Sequence, residues 1–413
     1  MRVLQVSAYD LMGEQFNGLA LHRAMTALGI ESSMLVHDRF GEDPGVATMA
    51  GPLLYRLNRI TQPIEDLLSL HSVLDVAGFG LFRSPQYRRA DIVHLQLMHG
   101  RRFFSLLHLP RLAREKPVVW TIHDPWLMTG HCVHPLACGR WRNGCGQCPD
   151  LSRDFRMRTD RSALNWRIKQ HVLGQAPITL VFASRWMQEQ AAASPILGHL
   201  PNEVIPFGVD LKMFHPGSKP SARAALGIPE DTDVIAFRAS ERPQAFKGTG
   251  YLVQALSAYQ PRRKTMLLTF EQVGGLSGLR ERFPLIELGW AGEREAVARG
   301  LQAADLFLMP SIAESFGMMA VEAMACGVPV ICFENTALPD VIGAPTTGLS
   351  VPHGDHRGLL RAIEDLMGNP ERRMAMGAEA LKLVRREYTM QRYVERHVAL
   401  YFRLARERRS SGS

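Results

Sequence analysis

The sequence predicts an α/β protein of two domains, each built on a parallel β-sheet. At 413 residues the chain is too long for one ordinary hydrophobic core and suits two. In both halves short apolar runs alternate with helical segments, which is the pattern of βαβ units. A loop-rich segment, 204–220, separates the two series of runs. We therefore expect domains at 1–208 and 209–384, followed by a C-terminal segment, 385–413.

The first half contains apolar runs with the length of buried strands. They lie at 3–6, 33–36, 92–95, 118–122 and 179–183. An amphipathic segment at 18–28 follows the first run, and Gly29 is placed to end this helix. Residues 50–90 are less regular, and we expect helices there that lie outside the repeating pattern.

The second half repeats the pattern of the first. Its apolar runs lie at 234–237, 266–270, 285–288, 306–309 and 330–333. Two parallel sheets of this kind make a double Rossmann arrangement with a cleft between the domains, and ligands bind at the carboxyl ends of the strands. The pattern over 385–406 predicts one long final helix.

The composition is that of a globular protein, with 46% hydrophobic and 21% charged residues. The net charge of +8 raises the question of nucleic-acid binding. The arginines are scattered, however, and the sequence has no recognisable nucleic-acid-binding motif, so we expect no nucleic-acid partner. An enzyme that handles phosphate-bearing substrates, or that rests on anionic lipid, explains the charge as well.

The sequence predicts a cytoplasmic protein that touches the inner face of the membrane at most from its surface. The first residues, 1–7, are too short for the apolar core of a secretory signal and suit a first β-strand. No uninterrupted apolar run reaches the roughly 18 residues that a spanning helix needs.

The segment 310–331 carries two acidic side chains between two predicted strands. Glu314 precedes a small-residue turn, and Glu322 lies in a predicted helix over 318–325 that Gly327 ends. The first N–H groups of that helix form an anion site beside Glu314. Glutamates at helical spacing usually form a solvated face, but the flanking residues here are apolar or small, so these acids need partners. A ligand with both phosphate and hydroxyl groups, such as a nucleotide sugar, supplies them.

These residues resemble the Glu-x7-Glu signature of the group 1 (GT4) retaining glycosyltransferases, which have the two-domain GT-B architecture. The segment 348–355 is similar to the same family. The resemblance implies that the first domain binds an acceptor, that the second binds a nucleotide diphosphate sugar, and that the final helix crosses back to the first domain. It also implies that Glu314 binds the hydroxyls of the transferred sugar and that Glu322 binds the ribose. The turn residues that would offer backbone N–H groups to the donor are Ser315, Phe316 and Gly317.

Cationic residues for the diphosphate are expected after the first strand of the second domain. Lys247 and Gly248 match the family's Lys-Gly motif, and a lysine here neutralises the leaving diphosphate. The family places an arginine five residues earlier, which is Arg242 in this chain. Its usual Gly-Arg strand ending is replaced by Phe237-Arg238, so Arg238 competes for the same role.

The resemblance also implies site residues in the first domain. His123, just after a predicted strand, matches a family histidine that contacts the transferred sugar and assists catalysis. His94 and His99, at the preceding strand, are weaker candidates for shaping the acceptor pocket. Gly13 and Gly18 occupy the place of the family's glycine-rich loop, although most of its glycines are missing here.

Four cysteines cluster in the first domain. They are Cys132, Cys138, Cys145 and Cys148. Their spacing leaves three alternatives: a structural zinc site, disulfide bonds, which the cytoplasm disfavours, and packed free thiols. A similar insertion, 131–149 here, occurs in bacterial group 1 transferases that resemble the colanic acid (WcaC-like) enzymes.

The segment 100–114 mixes basic and apolar residues. Two interpretations remain open for it: an ordinary half-buried helix, or a surface that presses against anionic lipid carrying a lipid-linked acceptor.

Together these features predict a glycosyltransferase that moves a sugar from a nucleotide diphosphate sugar to a saccharide or lipid-linked saccharide. The resemblance implies retention at the anomeric carbon and a role in bacterial surface polysaccharide or exopolysaccharide synthesis. No cofactor is expected to be required, and the lack of an Asp-x-Asp after a strand predicts metal-independent catalysis. The alternatives are another GT-B enzyme, such as a sugar-nucleotide 2-epimerase, and a non-catalytic or nucleic-acid-binding module.

Overall fold

The structure is a computed structural model that describes residues 1–11, 13–100, 103–240, 246–271, 274–289 and 294–411. The chain forms two compact units. The first comprises Met1–Ile205 together with the chain from Tyr393 onward, and the second comprises Pro206–Arg392.

The first unit is a parallel sheet with helices on its connections. Its strands are β1 (Arg2–Tyr9), β2 (Glu31–Asp38), β3 (Val46–Thr48), β4 (Ile92–Leu95), β5 (Val118–Ile122), β6 (Thr179–Phe182) and β7 (Asn202–Val204). Its helices up to that point are α1 (Glu14–Asn17), α2 (Leu19–Ala27), α3 (Pro52–Leu67), α4 (Phe79–Arg83), α5 (Pro85–Arg89), α6 (Leu109–Glu115), α7 (Ser162–Gly174) and α8 (Arg185–Ala192).

The strands of the first sheet run in the order β3-β2-β1-β4-β5-β6-β7. Every pair is parallel; Val3 of β1, for example, pairs with Ser32 of β2 on one side and with Ile92 of β4 on the other. The central strands are buried along their length, because helices cover both faces of such a sheet. The order reverses between β1 and β4, and this is where an open α/β sheet leaves a crevice at its carboxyl edge.

The second unit has the same architecture. Its strands are β8 (Asp233–Phe237), β9 (Thr265–Thr269), β10 (Leu285–Glu287), β11 (Leu306–Met309), β12 (Val330–Phe333) and β13 (Gly348–Val351). Its helices are α9 (Lys219–Ala225), α10 (Thr249–Ala258), α11 (Ser277–Arg280), α12 (Arg294–Ala303), α13 (Met318–Ala325), α14 (Leu338–Ile342), α15 (His356–Gly368) and α16 (Pro370–Glu387). The parallel strand order is β10-β9-β8-β11-β12-β13, so the crevice of this sheet lies between β8 and β11.

The predicted fold class is confirmed, with one parallel sheet in each unit. The strands that the prediction missed are β3, β7 and β13, each of which has a neighbour on only one side. They are three or four residues long and include polar or glycine residues. An edge strand needs less apolar sequence than a central one because one side of it is not covered by another strand.

The C-terminal helix joins the first unit, as predicted, but it is not one helix over 385–406. After α16 ends at Glu387, a new helix, α17 (Met390–Ser411), begins. Thr389 stops the first helix and starts the second, because its hydroxyl accepts the Arg392 N–H at 3.2 Å. In the first unit, Tyr401 of α17 bonds through its hydroxyl to His94 Nδ1 at 2.6 Å.

None of the described helices is long and apolar enough to cross a membrane. The segment proposed as either a half-buried helix or a lipid-facing surface contributes to the first core. Phe103, Phe104, Leu106, Leu109 and Leu112 are all buried there. Most of the apolar side chains of that segment therefore already have protein partners, which favours the half-buried helix, although Leu107 is 54% exposed.

Candidate functional site

An ion pair lies at the crevice of the second sheet. The loop after β8 carries Lys247 and the loop after β11 carries Glu314, which places both at the point where the strand order reverses. Lys247 Nζ donates to Glu314 Oε2 at 2.8 Å, and the two side chains are only 14% and 16% exposed. A cation and a carboxylate thus meet where an α/β sheet binds its ligand.

Gly248 explains why glycine follows the lysine. Its φ is +68°, and a Cβ at this position would lie 1.9 Å from the carbonyl oxygen of Pro310. The same approach of the two loops is fixed by the Ile312 N–H, which donates to the Phe246 carbonyl at 2.8 Å. Any larger residue would push the loops apart and move Lys247 away from Glu314.

The turn before α13 is equally constrained. Gly317 has a φ of +98°, and a Cβ there would lie 2.4 Å from Leu338 Cδ2. Phe316 is buried, with its ring against Phe207 at 5.3 Å and Tyr388 at 5.8 Å. The side chain of Phe316 is thus a packing element. The first N–H groups of a helix have no partner within the helix, so the turn from Ser315 to Gly317 suits an anion.

Glu322 lies inside α13 and is buried. Burial raises the pKa of its carboxyl to about 7, although the positive charges of Arg294 and Arg238 act in the opposite direction. Arg294 Nη2 lies 3.3 Å from Glu322 Oε1. A carboxyl poised near neutral pH can accept hydrogen bonds from ligand hydroxyls when it is ionised.

Of the two arginines predicted to bind the diphosphate, only Arg238 lies among the described residues. Arg238 directly follows β8 and donates from Nη2 to Glu271 Oε1 at 3.3 Å. Its charge also acts on Glu322, so it lies in the same electrostatic neighbourhood. Arg242 lies outside the described residues. Arg294, at the start of α12, was missed by the sequence analysis, because its partner Glu322 is distant in the chain.

The predicted residues of the first unit gather around the carboxyl ends of β1 and β5. The ring of Phe16 meets His123 edge to face, with centroids 5.9 Å apart. Burial lowers the pKa of His123 to about 4, so the ring is neutral at neutral pH. Gly13 has a φ of +77°. Gly18 has a φ of +90°, and a Cβ on it would lie 2.7 Å from Gln96 Cγ, so it is required for packing.

A histidine–carboxylate pair stands beside His123. His99 Nε2 lies 2.7 Å from Asp124 Oδ2, while the other oxygen of Asp124 accepts the Trp126 N–H. Burial alone would raise the pKa of Asp124, but the combined effects of His99, His134 and the Trp126 N–H lower it to about 2. His99 was predicted from the sequence, but its pairing with Asp124 was not. His94 is fully buried and bonds to Tyr401 and Thr121, so it belongs to the interior rather than to a pocket.

The cysteine cluster holds free thiols. Burial raises the pKa of Cys132 and of Cys145 to about 11. Among the side chains that the structure describes, no group of three or more His, Cys, Asp or Glu residues could hold a metal ion. As placed here, the four cysteines do not fit a tetrahedral zinc site.

A buried lysine supports the loop that connects His123 to the cysteines. Lys169 Nζ donates to the carbonyl oxygens of Trp126 at 2.6 Å and Thr129 at 2.8 Å. It also lies 3.9 Å from the centroid of the Trp126 ring. Burial lowers the pKa of Lys169 to about 7, and the sequence analysis gave no indication of this role.

Comparison with known proteins gives the family of the chain. Residues 219–383 match the family model described as glycosyl transferases group 1. A D-inositol 3-phosphate glycosyltransferase of Kineococcus radiotolerans is 35% identical over 325 residues, which cover 71% of this chain and 70% of the relative. The chain belongs to the group 1 glycosyltransferases.

Two further relatives carry the same name. The protein of Segniliparus rotundus is 34% identical over 186 residues, and this chain covers 41% of its length. A Mycobacterium sp. protein is 27% identical over 364 residues, which are 84% of this chain and 75% of the relative.

Solved structures with similar folds cover almost the whole chain. Sucrose-phosphate synthase from Thermosynechococcus elongatus has a TM-score of 0.67 and 18% identity, covering 98% of this chain and 99% of that one. Anabaena Alr3699/HepE in complex with UDP and glucose has a TM-score of 0.67 and 15% identity, covering 97% of this chain and 99% of that one. At such low identity these matches support the GT-B fold of this group 1 glycosyltransferase.

Proposed function

We propose that this chain transfers a sugar from a nucleotide diphosphate sugar to a hydroxyl group, with retention at the anomeric carbon. The observation that carries the proposal is the half-buried pair of Lys247 and Glu314 at the crevice of the second sheet. A donor carries anionic phosphates next to a sugar with neutral hydroxyls. The phosphates would take Lys247 as a counter-ion, and Glu314 would then accept hydrogen bonds from the sugar hydroxyls.

The remaining donor contacts follow from the same region. Arg238 stands at the end of β8 and would share the diphosphate with Lys247. Backbone N–H groups at the turn from Ser315 to Gly317 would receive phosphate oxygens at the start of α13. Glu322, whose carboxyl is polarised by nearby arginines, would bind the ribose hydroxyls. Arg242 would add a further cation.

The proposed reaction needs no nucleophile from the protein. The bond between the anomeric carbon and the phosphate oxygen breaks, and the electron pair stays on the leaving diphosphate. The acceptor oxygen bonds to the same face of the anomeric carbon, and its proton passes to a diphosphate oxygen. Lys247 and Arg238 would stabilise the developing negative charge, so catalysis rests on positioning and electrostatics without a metal ion.

We assign the acceptor to the first unit, where His123 would contact the transferred sugar. Its neutral ring can both donate and accept a hydrogen bond to a hydroxyl. The cysteine-rich insertion resembles that of the colanic acid subset, which favours a saccharide or lipid-linked saccharide in surface polysaccharide synthesis. The names of the relatives add a phosphorylated polyol as a rival acceptor.

The first test is a thermal-shift screen of the purified chain against UDP- and GDP-linked sugars. We expect one donor to raise the melting temperature, and Lys247→Ala to abolish that rise. With that donor and a panel of saccharide acceptors, NMR of the product should show the anomeric configuration of the donor, and EDTA should leave the rate unchanged. Conversion of the donor without any acceptor would instead identify an epimerase.

Zinc at the four cysteines stays a prediction that elemental analysis tests. Purification under reducing conditions followed by measurement of bound zinc is sufficient. Less than about one tenth of an equivalent per chain would remove the zinc proposal, in agreement with the arrangement of the thiols.

A further inference from the structure

Helix α3 carries an apolar row on its outer face. Leu53, Leu57, Ile60, Ile64 and Leu67 are 70%, 43%, 62%, 48% and 61% exposed. Their spacing of three and four residues puts them on one side of the helix, and we call them the outer stripe. An ordinary surface helix turns such a row toward the core.

The rotation of α3 is fixed by polar residues that face inward. Asn58 Oδ1 accepts the N–H groups of Val76 at 2.8 Å and Ala77 at 3.1 Å. About two helical turns further along α3, Glu65 Oε1 accepts the N–H groups of Val73 at 2.6 Å and Leu74 at 3.0 Å.

Both of these polar side chains are buried. A helix rotated to hide the outer stripe would take both polar side chains away from their partners and leave those backbone N–H groups without these bonds. The outward direction of the stripe is therefore built into the first unit.

The charges on α3 indicate what covers this face. Arg56 and Arg59 are exposed beside the outer stripe. All of α3 is described, and neither of its acidic residues is fully exposed: Glu65 is buried, and Asp66, on the same side of the helix as Arg59, is half-buried. The exposed face of the helix is thus apolar and positive, which complements a surface that is apolar inside and negative outside.

We propose that α3 docks this protein on an anionic lipid surface, with the outer stripe in the acyl region and the two arginines at the headgroups. At about 1.5 Å per residue, the helix would lie along roughly 24 Å of the interface. A second copy of the chain fits the face less well. Pairing of two stripes would bring Arg56 and Arg59 of both copies together without exposed acids on α3, in a protein whose net charge is already +8.

This inference does not depend on the donor site. Helix α3 suits the membrane contact better than the segment 100–114, because most of the apolar side chains of that segment are buried. It also gives a physical reason for a lipid-linked acceptor, since docking would hold the first unit at the surface where such an acceptor resides.

The test is co-sedimentation of the full chain with sucrose-loaded vesicles, either of pure phosphatidylcholine or of equal parts phosphatidylcholine and phosphatidylglycerol. The stripe variant combines Leu57→Ser, Ile60→Ser and Ile64→Ser. The charge variant combines Arg56→Gln and Arg59→Gln. The matched control combines Leu28→Ser, Met374→Ser and Phe402→Ser, which replace side chains that are 62%, 66% and 54% exposed elsewhere.

We expect the wild type and the control to sediment with the anionic vesicles. The stripe variant should bind at least roughly tenfold more weakly. At low salt the affinity of the charge variant for anionic vesicles should fall roughly fivefold for each arginine removed. At high salt its affinity should be closer to that of the wild type. Thermal stabilisation by the donor should be the same in all four proteins, which separates this proposal from the donor site.

Either of two results would overturn the proposal. One is a wild type that does not sediment with anionic vesicles. If sedimentation velocity then shows a wild-type dimer that the stripe variant does not form, a second copy of the chain covers α3. The other is a stripe variant that binds vesicles like the wild type while its circular dichroism and melting temperature are unchanged.

Discussion

Glu322 and Arg294 form an ion pair at 3.3 Å in which the carboxylate is buried and the guanidinium is partly exposed. Burial has the larger effect on the carboxyl, because its pKa is raised from 4.5 to about 7 despite the nearby cation. The site therefore contains a carboxyl that changes charge close to physiological pH.

The raised pKa of Glu322 predicts that the free energy of unfolding decreases as the pH rises. Below about 4.5 the carboxyl is protonated in both the folded and the unfolded chain, and between 4.5 and about 7 only the folded chain holds the proton. The stability contribution is thus present at low pH and is lost as the pH rises through 7, by roughly 3 kcal/mol. Calorimetry at pH 5 and pH 8 should show this loss in the wild type relative to Glu322→Gln. Equal pH dependence in the two proteins would contradict the assignment.

Donor binding should release protons through the same carboxyl. Ribose hydroxyls donate to the ionised form, so binding favours the carboxylate and affinity should rise between pH 6 and pH 8. Isothermal titration in two buffers of different ionisation enthalpy measures the released protons. Glu322→Gln should abolish the release, and Arg294→Met should move its midpoint to higher pH because a stabilising cation is lost. A wild type that binds donor without any proton release would argue against Glu322 at the ribose.

Loss of either member of the Lys247–Glu314 pair should reduce transfer strongly. We expect kcat/KM to fall roughly a hundredfold to a thousandfold in Lys247→Ala, because the leaving diphosphate loses a fixed positive charge. Glu314→Gln should also lose activity, because a neutral amide binds the sugar hydroxyls less strongly. Lys264→Ala is a matched control, since Lys264 Nζ also lies 2.8 Å from a carboxylate, that of Asp231, but is 74% exposed. Similar activity of all three variants would remove Lys247 and Glu314 from the site.

The central strands were predictable because a parallel sheet covered on both faces needs continuous apolar runs. The predicted runs at 92–95 and 118–122 coincide with β4 and β5. Edge strands carry a weaker signal, and the break at Thr389 was missed because the apolar pattern continues through it while one hydroxyl starts a new helix.

Residues of the candidate site were predictable only where a short continuous segment of the sequence carries the motif. Lys247 and Glu314 were proposed from their own loops, and the fold brings them together. Arg294 could not be paired with Glu322 from sequence, because a side-chain contact between separate helices depends on how both pack. Helix α3 shows the same limit: its apolar row is visible in sequence, but its exposure follows from the inward bonds of Asn58 and Glu65.

Gly248→Ala should be far more harmful than Gly250→Ala. A Cβ at Gly248 would lie 1.9 Å from a carbonyl oxygen at a φ of +68°, whereas a Cβ at Gly250 meets nothing within 4 Å. We expect Gly248→Ala to lower the melting temperature and to displace Lys247, with loss of donor binding. Gly250 lies in α10, where alanine is favoured over glycine by about 0.5–1 kcal/mol, so Gly250→Ala should be neutral or stabilising. Thermal shift with and without donor measures both effects, and equal behaviour of the two variants would contradict the loop geometry.

The docking of α17 should depend on the Tyr401 hydroxyl. It lies 2.6 Å from His94 Nδ1, and the other ring nitrogen of His94 lies 2.7 Å from Thr121 Oγ1. Burial holds the pKa of His94 well below its usual value, so the ring is neutral and one nitrogen needs a donor while the other needs an acceptor. Tyr401→Phe removes one partner inside the core and should destabilise the first unit by roughly 1–3 kcal/mol.

The neighbouring residue supplies the control for this last substitution. Phe402 is 54% exposed on the same helix, so Phe402→Ala should change stability by less than about 0.5 kcal/mol. Calorimetry of the full chain, followed by hydrogen exchange of the His94 strand, distinguishes local loosening of α17 from general destabilisation. If α17 is an energetic part of the first unit, exchange should increase in both the helix and β4 for Tyr401→Phe alone. Faster exchange confined to α17 would mean that the helix rests on the sheet without stabilising it.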